Sequence, residues 1–272
     1  FLQESASRSG LQPHLWRQAR AAHLALYPNL NAADPTWREL FRDSRFREAL
    51  SISIDREALS QYLFFGLATP ANNTLLPESP LYSEEIASAC LGHNVDRANA
   101  LLDELGLDER DASGTRLLAD GRPLELVVET AGEDSEQADV LELIGDDFAK
   151  LGFKIHTRPT EREVLRNRIF SGEALMTIWY GLENGVPTAD MSPTSFVPVN
   201  QYDQPQWPKW GQHFETRGEA GEAPDEPVPV RLLELYGEWR GAADRAGREA
   251  AWREILELYA PECYTIGLIA NV

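Results

Sequence analysis

Apolar residues recur along this chain with two alternating periods, and the switches between them predict an order of elements. The run His23-Leu24-Ala25-Leu26-Tyr27-Pro28-Asn29-Leu30-Asn31 predicts a short strand, stopped by Pro28 and two asparagines. Asp34-Pro35-Thr36 predicts a helix start, with Asp34 as N-cap and Pro35 at the first helical position. Trp37, Leu40 and Phe41 form the apolar stripe of that helix. A second helix follows through Phe46, Ala49, Leu50, Ile52 and Ile54, and a third runs from near Asp55 through Leu59, Tyr62, Leu63 and Phe64 to Gly66. Residues 68–82 predict a loop, rich in Pro, Asn and Thr. A helix from Asp96 through Leu105 ends at Gly106, and residues 110–122 predict a turn or hairpin that is sharpest at Asp120-Gly121.

The middle of the chain has the clearest pattern. Strands are predicted over 124–130, 153–158 and 174–180, with helices over 135–151 (Val140, Leu141, Ile144, Phe148) and 161–170. Strand–helix–strand–helix–strand with short connections means an α/β layer, a sheet covered by helices. Residues 181–230 break the pattern with prolines, glycines, Trp207 and Trp210. A long irregular segment in a compact protein points to function or disorder, and its aromatics argue for order. Helices over 231–239 and 245–259 and an apolar strand over 264–270 close the chain, and no repeat of fixed period is present.

At 272 residues, 43% of them hydrophobic, the chain is long enough for a substantial core and too apolar for a disordered one. A formal net charge of -19 repels phosphate backbones and anionic lipid, so nucleic-acid binding is excluded as a function class and the acidity reads as a solvated surface. No apolar run reaches the eighteen or so residues of a membrane span, so no direct membrane insertion is expected. Phe1-Leu2-Gln3-Glu4-Ser5 carries neither a basic n-region nor an apolar h-region, so no signal peptide is read there. Cys90 and Cys263 are far apart in sequence; buried free thiols are the simpler expectation, with a disulfide left open.

The search for reaction chemistry finds little. His14, His23, His93, His156 and His213 have no HxxxH or HxH spacing, so no metal site is expected. There is no CxxC, P-loop, GxGxxG or GxSxG, so no cofactor and no catalytic residue is assigned. Ser51 and Ser53 lie among helical apolar residues and suit packing, and Glu84-Glu85 and Asp146-Asp147 read as solvated helix faces. Trp179 and Tyr180 stand at the C-terminal end of a predicted sheet strand, where open α/β sheets bind ligands, and Trp207 and Trp210 follow in the loop. Those last two either wall such a site or pin the loop to the core.

One stretch is more specific. Leu40-Phe41-Arg42-Asp43-Ser44-Arg45-Phe46-Arg47-Glu48-Ala49-Leu50-Ser51-Ile52-Ser53-Ile54-Asp55-Arg56 resembles the "D.RFR.ALS.AIDR" signature of family 5 extracellular solute-binding proteins, the peptide- and nickel-type receptors of ABC importers. In the same order, Asn94 to Gly106 resembles the family's "YDP.KA..LL.EAG" helix and Asp120-Gly121-Arg122-Pro123-Leu124 its "DG.PL" strand entry. Phe170-Ser171-Gly172-Glu173 through Trp179 resembles the hairpin into the ligand strand, and Tyr264-Thr265-Ile266-Gly267 the closing strand.

The resemblance implies an α/β fold, a mixed sheet covered by helices, forming the C-terminal lobe of a two-lobed periplasmic binding protein. Residues 1–33 would be a hinge or inter-lobe segment, 34–259 the ligand-binding lobe with an irregular loop at 181–230, and 260–272 a closing strand toward the hinge or other lobe. The implied function is capture of a peptide or peptide-like solute between two lobes, without turnover, in the periplasm or outside the cell. The implied partners are ABC permease subunits in the inner membrane. In peptide-binding relatives an aspartate shortly after the ligand-strand Trp pairs with the peptide's amino terminus; here Leu182 stands in that place and Glu183 is the nearest acid. Glu183 is thus the candidate charge anchor, Trp179 and Tyr180 candidate stacking walls, and Gly181 and Asn184 further candidate contacts. Arg45 and Arg47 of the signature are expected to pair with Asp43 or Asp55. The alternative from another class is a hydrolase of an oligomeric substrate using paired carboxylates.

Overall fold

The structure, a computed structural model, describes residues 10, 12, 14, 18–133 and 135–270. The opening Phe1–Ser5, read above for a leader, lies outside the described residues.

The chain enters the sheet with β1 (Leu24–Pro28), followed by α1 (Pro35–Arg42), α2 (Ser44–Ser53), α3 (Arg56–Phe64) and a two-residue β2 (Thr69–Pro70). Three aspartates punctuate these helices. The carboxylates of Asp34, Asp43 and Asp55 accept from the backbone N–H of Trp37 (3.1 Å), Arg45 (3.0 Å) and Ala58 (2.9 Å), satisfying donors that a helix start leaves unpaired. Next come α4 (Glu84–Ser88), α5 (Val95–Glu104), β3 (Glu125–Thr130), α6 (Glu136–Ala149), β4 (Lys154–Pro159), α7 (Arg162–Ser171) and β5 (Met176–Trp179). The remainder holds α8 (Pro208–Glu215), α9 (Pro227–Gly241), α10 (Arg245–Tyr259) and β6 (Ile266–Ala270).

The sheet has six strands in the order β2-β6-β1-β5-β3-β4. Strands β3, β4 and β5 alternate with α6 and α7, as the pattern predicts, and are mutually parallel. Strand β1 pairs antiparallel with β5 on one side and β6 on the other, so the sheet is mixed. The segments assigned to a hinge and a closing strand therefore supply the two strands that extend the parallel unit.

Two cores hold the layers together. Leu24, Leu26, Val128, Met176 and Ile178 of the sheet pack with Phe41, Phe46, Leu50, Leu101 and Phe148 of the helices. A second core gathers Leu30, Phe196, Trp207, Trp210, Leu235, Trp252, Tyr259 and Tyr264. It gives the supposedly irregular 181–230 segment its order, including a 3-10 turn at Thr194–Phe196 and helix α8. Period-based reading missed α8 because the helix is only eight residues long and Trp210 is its one large apolar side chain that is fully buried, Phe214 being exposed, so no apolar stripe recurs.

Three expectations are corrected. Cys90 and Cys263 are not free thiols but are joined by a disulfide across 173 residues of sequence. Their approach depends on α4 packing against the turn Ala260–Glu262, which no local pattern reports. Asp147 is not on a solvated face. It is 7% exposed, accepting from the Asp55 N–H at 2.9 Å and from Lys150 Nζ at 2.7 Å, and so links α6 to the start of α3. Arg47 reaches Glu262 (2.7 Å) and the Phe41 carbonyl rather than Asp43 or Asp55, whereas Arg45 does pair with Asp43 at 2.7 Å.

Candidate ligand-binding site

Alternation along β5 decides which side chains face outward from the main core. Met176 and Ile178 point into it, so Thr177 and Trp179 face the opposite side of the sheet, where α7 lies. Across the β1–β5 ladder Thr177 is paired with Tyr27. These residues border a cleft of about 470 Å³ between β5, α7 and the 194–206 segment.

Beyond Trp179 the chain makes a close approach. Gly181 donates its N–H to the Ala22 carbonyl at 3.0 Å, and a Cβ there would lie 2.3 Å from that oxygen and 2.5 Å from Asn73 Oδ1. Only glycine fits, because backbone occupies the space a side chain needs. The pairing continues as Ala21 N–H to Leu182 O (2.9 Å) and Gly185 N–H to Ala19 O (2.5 Å). Residues 19–22 and 181–185 thus run side by side as one wall. Asn73, fully buried, pins that wall by accepting from the Leu182 N–H at 2.8 Å.

This geometry places Arg20 opposite Glu183 and Asn184. Glu183 is exposed and has no ion pair among the described residues, and no ion pair joins it to Arg20. Arg20 instead lies over the Tyr180 ring at 4.5 Å. Arg162 covers Trp179 at 5.1 Å and Arg166 covers Tyr202 at 4.1 Å, so with Tyr180 three of the aromatic rings bordering the cleft carry a guanidinium. Arg162 is neutralised by Glu133 at 2.5 Å and Arg166 by Glu163 at 2.6 Å. Arg20 has no carboxylate partner among the described residues. The buried Tyr27 hydroxyl donates to the Tyr180 carbonyl at 2.7 Å, and burial pushes its phenol well above the usual range, so it stays a donor.

The structure thus brings Trp179, Tyr180, Gly181, Glu183 and Asn184 to one cleft. The Gly181 amide is already used within the wall, and the Asn184 side chain accepts from the Val186 N–H at 3.0 Å. Trp207 and Trp210 do not belong to the cleft: both are 0% exposed and lie ring against ring at 6.2 Å in the second core. Of their two alternatives, pinning the loop to the core is what the packing shows. Residues missed from sequence are Arg20, Arg162, Arg166, Tyr202, Thr177 and Gln206. Arg162 and Arg166 sit four apart on one helical face, a signal that was available.

Among the described residues no helix is long and apolar enough to cross a membrane, and no group of three metal-ligating side chains converges. Chain-wide comparison gives a consistent picture. A solved oligopeptide-binding protein OppA superposes with a TM-score of 0.82 and 28% identity, covering 98% of this chain and 44% of that one. The binding protein MelB of Agrobacterium fabrum, solved in complex with stachyose, superposes with a TM-score of 0.75 at 17% identity, over 98% of this chain and 41% of that one. The oligopeptide-binding protein AppA of Bacillus subtilis is 27% identical over 130 residues, 47% of this chain and 23% of AppA. The chain therefore spans less than half the length of these relatives. The family model described as bacterial extracellular solute-binding proteins, family 5 Middle, matches residues 3–203. With that match over most of its length and the fold shared with OppA, the chain belongs to the family 5 extracellular solute-binding proteins.

Proposed function

We propose that this chain captures a peptide or peptide-like solute in the cleft beyond β5, forming one of two lobes that close on it, and that the loaded receptor delivers the solute to ABC permease subunits in the inner membrane. Its place of action is the periplasm or the cell exterior. The observation that carries the reading is the pair of charges on facing segments, Arg20 and Glu183, at one cleft rim, neither with an ion-pair partner among the described residues. A solute with an ammonium and a carboxylate matches both signs, and the relatives' names, oligopeptide-binding proteins, point the same way. Membership of a receptor family favours capture over the hydrolase alternative, and the chain acts as a binding protein and not an enzyme.

A single lobe offers one wall only, so affinity of the chain by itself is low, because the second wall and its desolvation are missing. The test is titration calorimetry with Ala-Ala-Ala and with its N-acetylated form. Glu183→Gln weakens the free peptide by about 1.5–3 kcal/mol, the worth of a charge-assisted hydrogen bond, and leaves the acetylated one unchanged. Equal affinity of Glu183→Gln and wild type removes Glu183 from the site. Silence toward all peptides, at concentrations that register millimolar binding, discards peptides as the solute class.

A further inference from the structure

We infer that the floor of this cleft reads a hydrogen-bond-donating group of the solute, a hydroxyl or an amide, through Thr177 Oγ1 and Gln206 Oε1. The inference rests on the reading that the cleft takes a solute, but not on that solute being a peptide. Thr177 and Gln206 are 3% and 2% exposed and both border the cleft. Neither side-chain oxygen has a hydrogen-bond partner among the described residues.

Other buried polar side chains around the cleft are satisfied within the protein. Gln204, two positions before Gln206 and equally buried, uses its whole amide: Oε1 accepts from Val199 (3.2 Å) and Asn200 (3.0 Å), and Nε2 donates to Thr194 O (2.7 Å) and Val197 O (2.8 Å). Tyr27, across the ladder from Thr177, donates to the Tyr180 carbonyl. Glu129, beside Thr177 in the parallel ladder, is 1% exposed and held by both Arg158 and Arg168. Buried polar groups are almost always paired; of the six buried side-chain atoms without a partner among the described residues, Thr177 Oγ1 and Gln206 Oε1 are the two whose residues border the cleft, where a partner can come from outside.

The fold gives no other reason for these atoms. Valine matches the shape of threonine and is the better strand former, so the Thr177 hydroxyl adds nothing that β5 requires. The chemistry they select is specific. Gln206 Oε1 only accepts, and the Thr177 hydroxyl accepts or donates, so the entering group must bring at least one N–H or O–H. An apolar side chain in the same place would leave both oxygens orphaned.

The experiment compares wild type with Thr177→Val and Gln206→Met by calorimetry, using Ala-Asn-Ala, Ala-Leu-Ala and stachyose as probes, and by thermal melting without ligand. Wild type is expected to favour a polar probe over Ala-Leu-Ala by about tenfold, and each variant to lose that preference while keeping its affinity for Ala-Leu-Ala. Ligand-free variants melt at or above the wild-type temperature, since no internal bond is lost. A ligand-free melting point several degrees lower in both variants overturns the inference, because the oxygens are then partnered within the protein. So does an unchanged preference for the polar probes. Stachyose binding that weakens in the variants, with neither peptide bound, upholds this inference and overturns the peptide reading. Equal binding of both peptides by all three proteins does the reverse, and no binding of any probe, at concentrations that register millimolar affinity, overturns both.

Discussion

The guanidinium of Arg20 lies 4.5 Å from the centre of the Tyr180 ring, on the chain segment that faces Glu183, and no carboxylate among the described residues neutralises it. Stacking on an aromatic face holds a cation in place without cancelling its charge. Arg20→Leu is therefore expected to weaken a peptide with a free carboxylate by about tenfold, a loss on the order of 1.4 kcal/mol, and to leave its C-terminally amidated form unaffected. Calorimetry on the two forms reads the difference directly. Equal losses for both would mean that Arg20 acts through Tyr180 packing alone.

Trp207 provides the opposite case, a residue that matters for stability and not for the solute. It is 0% exposed and packs at 4.9 Å from the Tyr264 ring and 6.0 Å from Tyr259. Trp207→Ala is expected to cost about 3–5 kcal/mol in urea unfolding, the usual range for emptying a buried aromatic site. The milder Trp207→Phe should keep solute affinity within about twofold once the protein is folded. A larger affinity change would return this position to the cleft.

The Cys90–Cys263 disulfide closes a loop of 173 residues in sequence separation. In the chain-entropy account a loop that long confers about 5 kcal/mol by restricting the unfolded ensemble, with measured values generally lower. The Cys90→Ser, Cys263→Ser double variant is expected to unfold at clearly lower urea than wild type, by about 2–5 kcal/mol. Treating wild type with a reductant should reproduce the loss, and an unchanged midpoint in both would mean that the crosslink adds no stability.

Acid stability has an identifiable source in Arg122, which bridges Asp34 (2.7 Å) and Asp120 (2.6 Å). Hydrogen bonding to Arg122 lowers Asp120 to about 2, and the same contact holds Asp34 below its ordinary value. Folded values lie below unfolded ones, so the contribution is present above about pH 4 and is lost as pH falls from there toward 2. Melting curves of Arg122→Ala are expected to be less dependent on pH than wild type across that window. Parallel curves would exclude the bridge as a source of acid sensitivity.

What was legible in the sequence follows from how local each feature is. Asp34 with Pro35, and Gly152 after α6, act within one turn of chain, and the helix and strand boundaries they predict agree with the structure to within a few residues. The strand–helix alternation of β3, β4 and β5 follows from period, and the placement of Trp179 and Tyr180 from their position at its end, whereas the parallel pairing is supplied by the structure. Arg20 and Glu183 face each other only because Gly181 lets two distant segments touch, and Cys90 meets Cys263 only through a tertiary contact. Neither has a sequence signature. Trp207 and Trp210 show the limit of composition: an aromatic in a loop looks the same whether it meets solute or core. Thr177 and Gln206 were invisible for a related reason, since being orphaned is a property of surroundings.

The order in which strands are synthesised differs sharply from the order in which they pair. Strand β1 is made first, yet both of its neighbours come late: β5 after residue 175 and β6 after residue 265. The β3–β4–β5 unit has short connections and can assemble while β1 still has an open edge toward β6. Contacts between Leu24–Leu26 and Ile266–Ile269 bridge almost the entire chain, the kind of pairing that slows folding and leaves a template for wrong partners meanwhile. A polypeptide stalled just short of Ile266 would hold most of its helices, lack the last rung of its sheet, and present Leu24, Ala25 and Leu26 to whatever strand arrives first.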